Sequence, residues 1–109
     1  MKPMIKTLLA SAALVGIASN AWSLDAAAAK TLAAQKACLG CHAVDKKLVG
    51  PSYQDVAAKY KGMAPQKLAA SIKAGGGGKW GPIPMPPQPT LTDAQAELLA
   101  SWILAGAPQ

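Results

Sequence analysis

Cys38, Cys41 and His42 stand together in the run Cys38-Leu39-Gly40-Cys41-His42: two thiols separated by two residues, with an imidazole directly after. This is the C-x-x-C-H spacing for covalent attachment of haem c. Each thiol would form a thioether with one vinyl group of the porphyrin, and the two intervening residues set the reach. His42 would then meet the iron from one side as the proximal ligand. The same residue types serve three other chemistries. A plain disulfide suits an oxidising compartment. A thiol–disulfide redox pair expects a βαβ setting, which the sequence lacks. A structural zinc site normally takes four protein ligands, and this chain offers two Cys and one His.

A His-bound haem iron has a second open face. A thioether there would complete a His/Met pair and raise the potential. Of the four methionines, Met63 and Met85 lie outside the N-terminal run discussed below. Met63 sits in a Gly-Met-Ala-Pro turn and reads as filler between helices. Met85 lies between Pro84 and Pro86, in the stiffest part of the chain. Proline restricts the loop when unfolded, so holding a weak ligand there costs less entropy. The spacing therefore favours His42 and Met85 as the iron ligands. Six-coordinate iron leaves no place for a reactant, which points to electron transfer. An open-site enzyme or sensor would need a labile Met ligand. A thiol–disulfide oxidoreductase would be colourless. No paired carboxylates and no nucleophile–base set stand out, and the only histidine is already assigned.

These residues need elements to hold them. Asp25 to Lys36 is rich in helix formers and predicts a helix running up to or into Cys38. Lys46 to Pro51 reads as loop. Ser52 to Lys61 predicts a short helix, with Gly62 past its end. Pro65 to Ala74 has Pro at its first turn and Gly75 after its last, the expected asymmetry of a helix start and stop. Gly75 to Gly78 is permissive backbone, and Trp80 to Pro89 carries too many prolines for a helix or a central strand. Thr92 and Gln95 spell a capping box. Beyond it Ala94, Leu98, Leu99, Trp102 and Ile103 fall on one helical face. No strand is expected. Aromatic residues are few, Phe is absent and alanine is abundant, so something other than side chains is expected to fill part of the core.

The N-terminal run has a different character. Lys2 and Lys6 precede the apolar stretch from Leu8 to Ala18, and small residues follow. That is the order of a secretory leader, and the stretch is shorter than the ~20 residues a membrane span needs. The reading is a leader over residues 1–23, cut after Ser23 with Ala21 as the competing site, and one domain over 24–109. Removing Lys2 and Lys6 lowers the net charge from +6 to +4. The chain has lysine but no arginine, which argues against nucleic-acid binding and for lysines that solvate or steer.

Taken together, CLGCH, Leu48 to Tyr60 (LVGPSYQDVAAKY), Trp80 to Pro87 (WGPIPMPP) and the Trp102 helix resemble the bacterial class I cytochromes c of the cytochrome c-551 / cytochrome c8 type. The resemblance implies an all-α fold of four to five helices around one covalent haem c. It implies a Pro51 carbonyl that accepts a hydrogen bond from His42, a Trp80 indole that donates to a haem propionate, and a Trp102 that packs between the first and last helices. It implies docking through an apolar haem-edge patch of Leu39, Gly40, Leu48, Val49, Pro82, Ile83, Pro84, Pro86 and Pro87, ringed by Lys36, Lys46, Lys47 and Lys79. The implied protein is a periplasmic, monomeric electron carrier. Its implied partners are redox proteins such as a quinol–cytochrome c reductase, a terminal oxidase or a periplasmic nitrite reductase. The chain departs from the family pattern at Gln88, where relatives often have Asn, and at Ser71, where many have arginine.

Overall fold

The computed structural model describes residues 25–109; the leader reading, over residues 1–23, falls outside them. Four α-helices follow in order: α1 (Ala26–Gln35), α2 (Tyr53–Lys59), α3 (Pro65–Ala74) and α4 (Asp93–Leu104), with a single 3-10 turn at Cys38–Gly40. The described residues contain no strand, only two isolated bridges, His42 with Lys47 and Gly76 with Met85. None of their helices is long and apolar enough to cross a membrane.

Helix starts follow the side-chain chemistry. The Asp25 carboxylate accepts from the Ala28 N–H at the head of α1. The Ser52 hydroxyl does the same for Asp55 at the head of α2. Thr92 and Gln95 cap each other reciprocally at the head of α4, satisfying donors that no helical carbonyl reaches. Pro65 opens α3 and Gly75 closes it at φ 64°.

The core is made of small and aliphatic residues. Ala29 and Ala33 of α1 and Ala96 and Ala100 of α4 are wholly or almost wholly buried; side chains this small let two helices approach closely. Leu32, Val56, Leu68, Ile72, Leu99 and Ile103 surround them. Trp102 is among the largest fully buried side chains, and its indole N–H donates to the Pro108 carbonyl at 2.9 Å. That bond ties down the C-terminal tail and answers the polar end of a buried indole.

Two expectations need correction. Helix α1 does not run into Cys38. It ends at Lys36, and Ala37 takes a left-handed conformation at φ 60° that starts the 3-10 turn. The buried face of α4 is Ala96, Leu99, Ala100, Trp102 and Ile103, whereas Ala94 is exposed and Leu98 only partly buried. Ala94 and Leu98 lie on the flank of the helix, turned away from the Ala96–Ala100–Ile103 row that is buried.

Candidate functional site

The break at Ala37 presents the two thiols. The Cys38 carbonyl accepts from the N–H groups of both Cys41 and His42, at 3.2 and 3.0 Å, winding the attachment segment into one tight turn. Gly50 N–H then donates to the Cys41 carbonyl at 2.7 Å, folding the 43–50 loop back over that turn. Tyr53 and Gln54 donate to the carbonyls of Ala43 and Val44, which fixes the head of α2 beside His42.

His42 is held on three sides. Its Nδ1 lies 2.8 Å from the Pro51 carbonyl oxygen. A carbonyl only accepts, so Nδ1 carries the proton and Nε2 keeps its lone pair for a metal. The Tyr53 ring stacks on the imidazole with centroids 5.1 Å apart, and Tyr53 in turn meets Trp102 edge-on at 5.3 Å. Gly50 passes under the ring so closely that a Cβ there would lie 2.5 Å from His42 Cε1. Only glycine permits that approach.

Burial shapes the titration of the neighbouring groups. It pushes the Cys38 thiol up, partly offset by hydrogen bonds from its own backbone and from Tyr53. It pushes the Tyr53 hydroxyl far above the usual phenol range, helped by the charge and hydrogen bonding of Cys38. A raised thiol is the opposite of the lowered one that reactive C-x-x-C oxidoreductases need. Cys38 and Cys41 are not joined in a disulfide. Among the described residues no three His, Cys, Asp or Glu side chains are grouped as metal ligands.

The opposite wall is the segment after α3. Gly76 and Met85 exchange both backbone hydrogen bonds, at 3.0 and 2.8 Å, and Gln88 N–H donates to the Lys73 carbonyl at 2.9 Å. The backbone of Met85 is thus pinned against the end of α3. Gly75 makes this possible: a Cβ there would lie 2.5 Å from the Met85 carbonyl oxygen and 2.7 Å from Pro87 N. The Gln88 side chain donates back to the Pro86 carbonyl at 3.2 Å. The Ser71 hydroxyl donates to the Lys67 carbonyl of its own helix at 3.4 Å.

Between the walls lies a mainly apolar cleft of about 260 Å³. Cys38, Cys41, His42 and Pro51 line one side; Trp80 and Met85 line the other; Leu99 and Ile103 of α4 are also exposed to it. Met63 lines it as well as packing against the core. Two thiols, one imidazole lone pair and thioether side chains facing a single apolar space are a donor set that fits haem c. Val49 and Ile83, which line it, are exposed at 51% and 62%; Leu39 and Leu48 are exposed elsewhere on the surface, and Lys46, Lys47 and Lys79 are exposed too.

The helical cradle and its donor set define a class: small all-α proteins built around a covalent haem. A sequence model of the cytochrome c family matches residues 26–107, and the chain belongs to that family. It is 46% identical over 108 residues to cytochrome c-551 of Pseudomonas aeruginosa, covering 96% of this chain and 98% of the relative. It is 50% identical over 95 residues to cytochrome c-552 of Hydrogenobacter thermophilus, covering 85% and 91%. The crystal structure of wild-type Nitrosomonas europaea cytochrome c552 superposes with a TM-score of 0.67 at 48% identity, over 71% of this chain and 98% of that one. The chain is accordingly a class I cytochrome c of the c-551 type, an electron-carrying protein with one covalently bound haem c.

Sequence reading had named Cys38, Cys41, His42, Pro51, Trp80 and Met85, and the structure brings all six around one cleft. It had missed Gly50, Tyr53 and Gly75. Gly75 was read only as a helix stop and Gly50 only as loop punctuation, because a close approach from a distant segment leaves no local signal.

Proposed function

We propose that the chain is exported by a leader over residues 1–23 and works in the periplasm as a monomeric single-electron carrier with His42 and Met85 as axial iron ligands. The observation that carries this reading is the hydrogen bond from His42 Nδ1 to Pro51 O at 2.8 Å. It presents Nε2 to the cleft that Met85 also lines. Haem c would supply a one-electron iron couple. Cys38 and Cys41 would hold it by thioethers. Pro51 fixes the tautomer and ring orientation of His42. Trp80, lining the cleft and 37% exposed, would donate its indole N–H to a propionate. With His42 and Met85 both holding the iron, no place would be left for small ligands, which would favour outer-sphere electron transfer.

The exposed apolar residues and the exposed lysines suit transient complexes with acidic redox proteins. Charge steers the encounter, and a small apolar contact releases quickly. A quinol–cytochrome c reductase as donor, and a terminal oxidase or periplasmic nitrite reductase as acceptor, have the required chemistry.

Optical spectroscopy of the matured protein tests the ligand set. Wild type should show the weak long-wavelength sulfur-to-ferric-iron band and no carbon monoxide binding. Met85→Ala should lose the band and bind carbon monoxide when reduced. Loss of the band in Met63→Ala instead would overturn the assignment.

A further inference from the structure

The segment from Gly75 to Pro84 raises a physical problem. It begins with four consecutive glycines, the residues that lose most freedom on ordering. Residues 76–84 are all exposed, so burial does little to hold them. Yet the segment carries Trp80 and leads straight into Met85.

One side chain from outside the segment grips it. Lys59, in the last turn of α2, donates from Nζ to the Lys79 carbonyl at 2.8 Å. The same ammonium sits over the Trp80 ring, 4.3 Å from its centroid. Tyr60, the next residue along, meets the Trp80 ring edge-on at 6.0 Å. Lys59 itself does not line the cleft, so whatever it does at the site passes through Trp80 and the backbone beside it.

We propose that Lys59 is a positioning residue: by its bond to the Lys79 carbonyl and its cation–π contact with Trp80, it latches the Met85 segment to α2 and holds the Trp80 wall of the cleft shut. The latch holds Lys79 and Trp80, inside the loop that the Gly76–Met85 bridge closes, so it divides the free span that must open before Met85 can leave. Two modest interactions act on one backbone position, a charge-assisted hydrogen bond and a cation–π contact. Their loss should make local opening about tenfold more frequent.

This rests on Met85 as iron ligand for one of its two readouts. The variants are Lys59→Met, which keeps length and apolar stem but removes charge and donor, and Lys59→Arg, whose guanidinium can still donate and stack. The first readout is imidazole binding to the ferric matured protein, which requires Met85 to detach. Lys59→Met should bind imidazole about tenfold more tightly than wild type, and Lys59→Arg within about twofold of it. The second readout is hydrogen exchange at the Gly76, Gly78 and Met85 amides, which is independent of the iron ligand. Lys59→Met should speed exchange there and leave α1 and α4 amides unchanged. Faster exchange without tighter imidazole binding keeps the latch and sinks the Met85 reading. Unchanged exchange in Lys59→Met, or an equal rise in Lys59→Arg, sinks the latch.

Discussion

The two sides of the cleft are built on opposite principles. On one side, α1 and α4 press alanines together and bury Leu99 and Trp102 almost completely. Their ends are capped by Asp25 and by the Thr92–Gln95 pair. On the other, residues 76–84 are exposed, and the segment hangs on a few backbone bonds at Gly76, Met85 and Gln88 and on the grip of Lys59. The helical side draws its stability from apolar area, which is insensitive to the chemistry at the site. The loop side draws its order from directional contacts and proline stiffness, so it can open while the helices stay packed. With the proposed ligand pair, a redox carrier would gain from this division: the imidazole is fixed by a rigid frame, and the weaker thioether would sit on a segment whose hold can be tuned separately.

Mutations should separate the two sides. Trp102→Ala removes a fully buried indole from the helical side and leaves the Pro108 carbonyl without its donor. It should cost about 3–5 kcal/mol and lower the urea midpoint of the whole molecule. A loss below about 1 kcal/mol would mean that the helical side is not where stability resides. Gly75→Ala should act on the loop side. It forces a Cβ into a left-handed position, a strain of about 1–2 kcal/mol, and against the Met85 carbonyl. The long-wavelength band should fall while far-ultraviolet circular dichroism is kept; a joint loss of both would erase the distinction between the sides.

Smaller effects sharpen the picture. Thr92→Ala breaks the capping box and should cost about 1 kcal/mol, read as a lower melting temperature with an unchanged haem spectrum. The least effect is expected at the one ion pair among the described residues, Lys73 with Asp93, which bridges α3 and α4. Hydrogen bonding and the charge of Lys73 hold the Asp93 carboxyl below its usual value. Its contribution is therefore present above the ordinary carboxylate range and is lost as pH falls through the lowered value. Urea midpoints of wild type and Asp93→Asn should differ slightly near neutrality and converge in acid. A gap that widens in acid would reverse the sign. Both side chains reach solvent, so added salt should shrink the difference.

Much of this was legible residue by residue. Pro65 and Gly75 bound α3 in the sequence and in the structure alike, and the Thr92–Gln95 box opens α4 as read, because such signals act within one helical turn. The end of α1 was not legible: nothing local in Ala37 announces a left-handed residue, which is held by the turn that follows it. The expected face of α4 is rotated about the helix axis, taking in Ala94 and Leu98 and leaving out Ala96 and Ala100, since alanine marks no side of a helix by itself.

The sequence alone determined the attachment chemistry, the helix ends that carry their own caps, and the helical character of the described residues, since each depends on residues within a few positions of one another. Tertiary structure decided that Gly50 slides beneath the His42 ring, that Gly75 touches the Met85 backbone, and that Lys59 reaches the Lys79 carbonyl across 20 positions. Those contacts join segments whose separation in the chain carries no pattern, and only packing brings them within van der Waals reach.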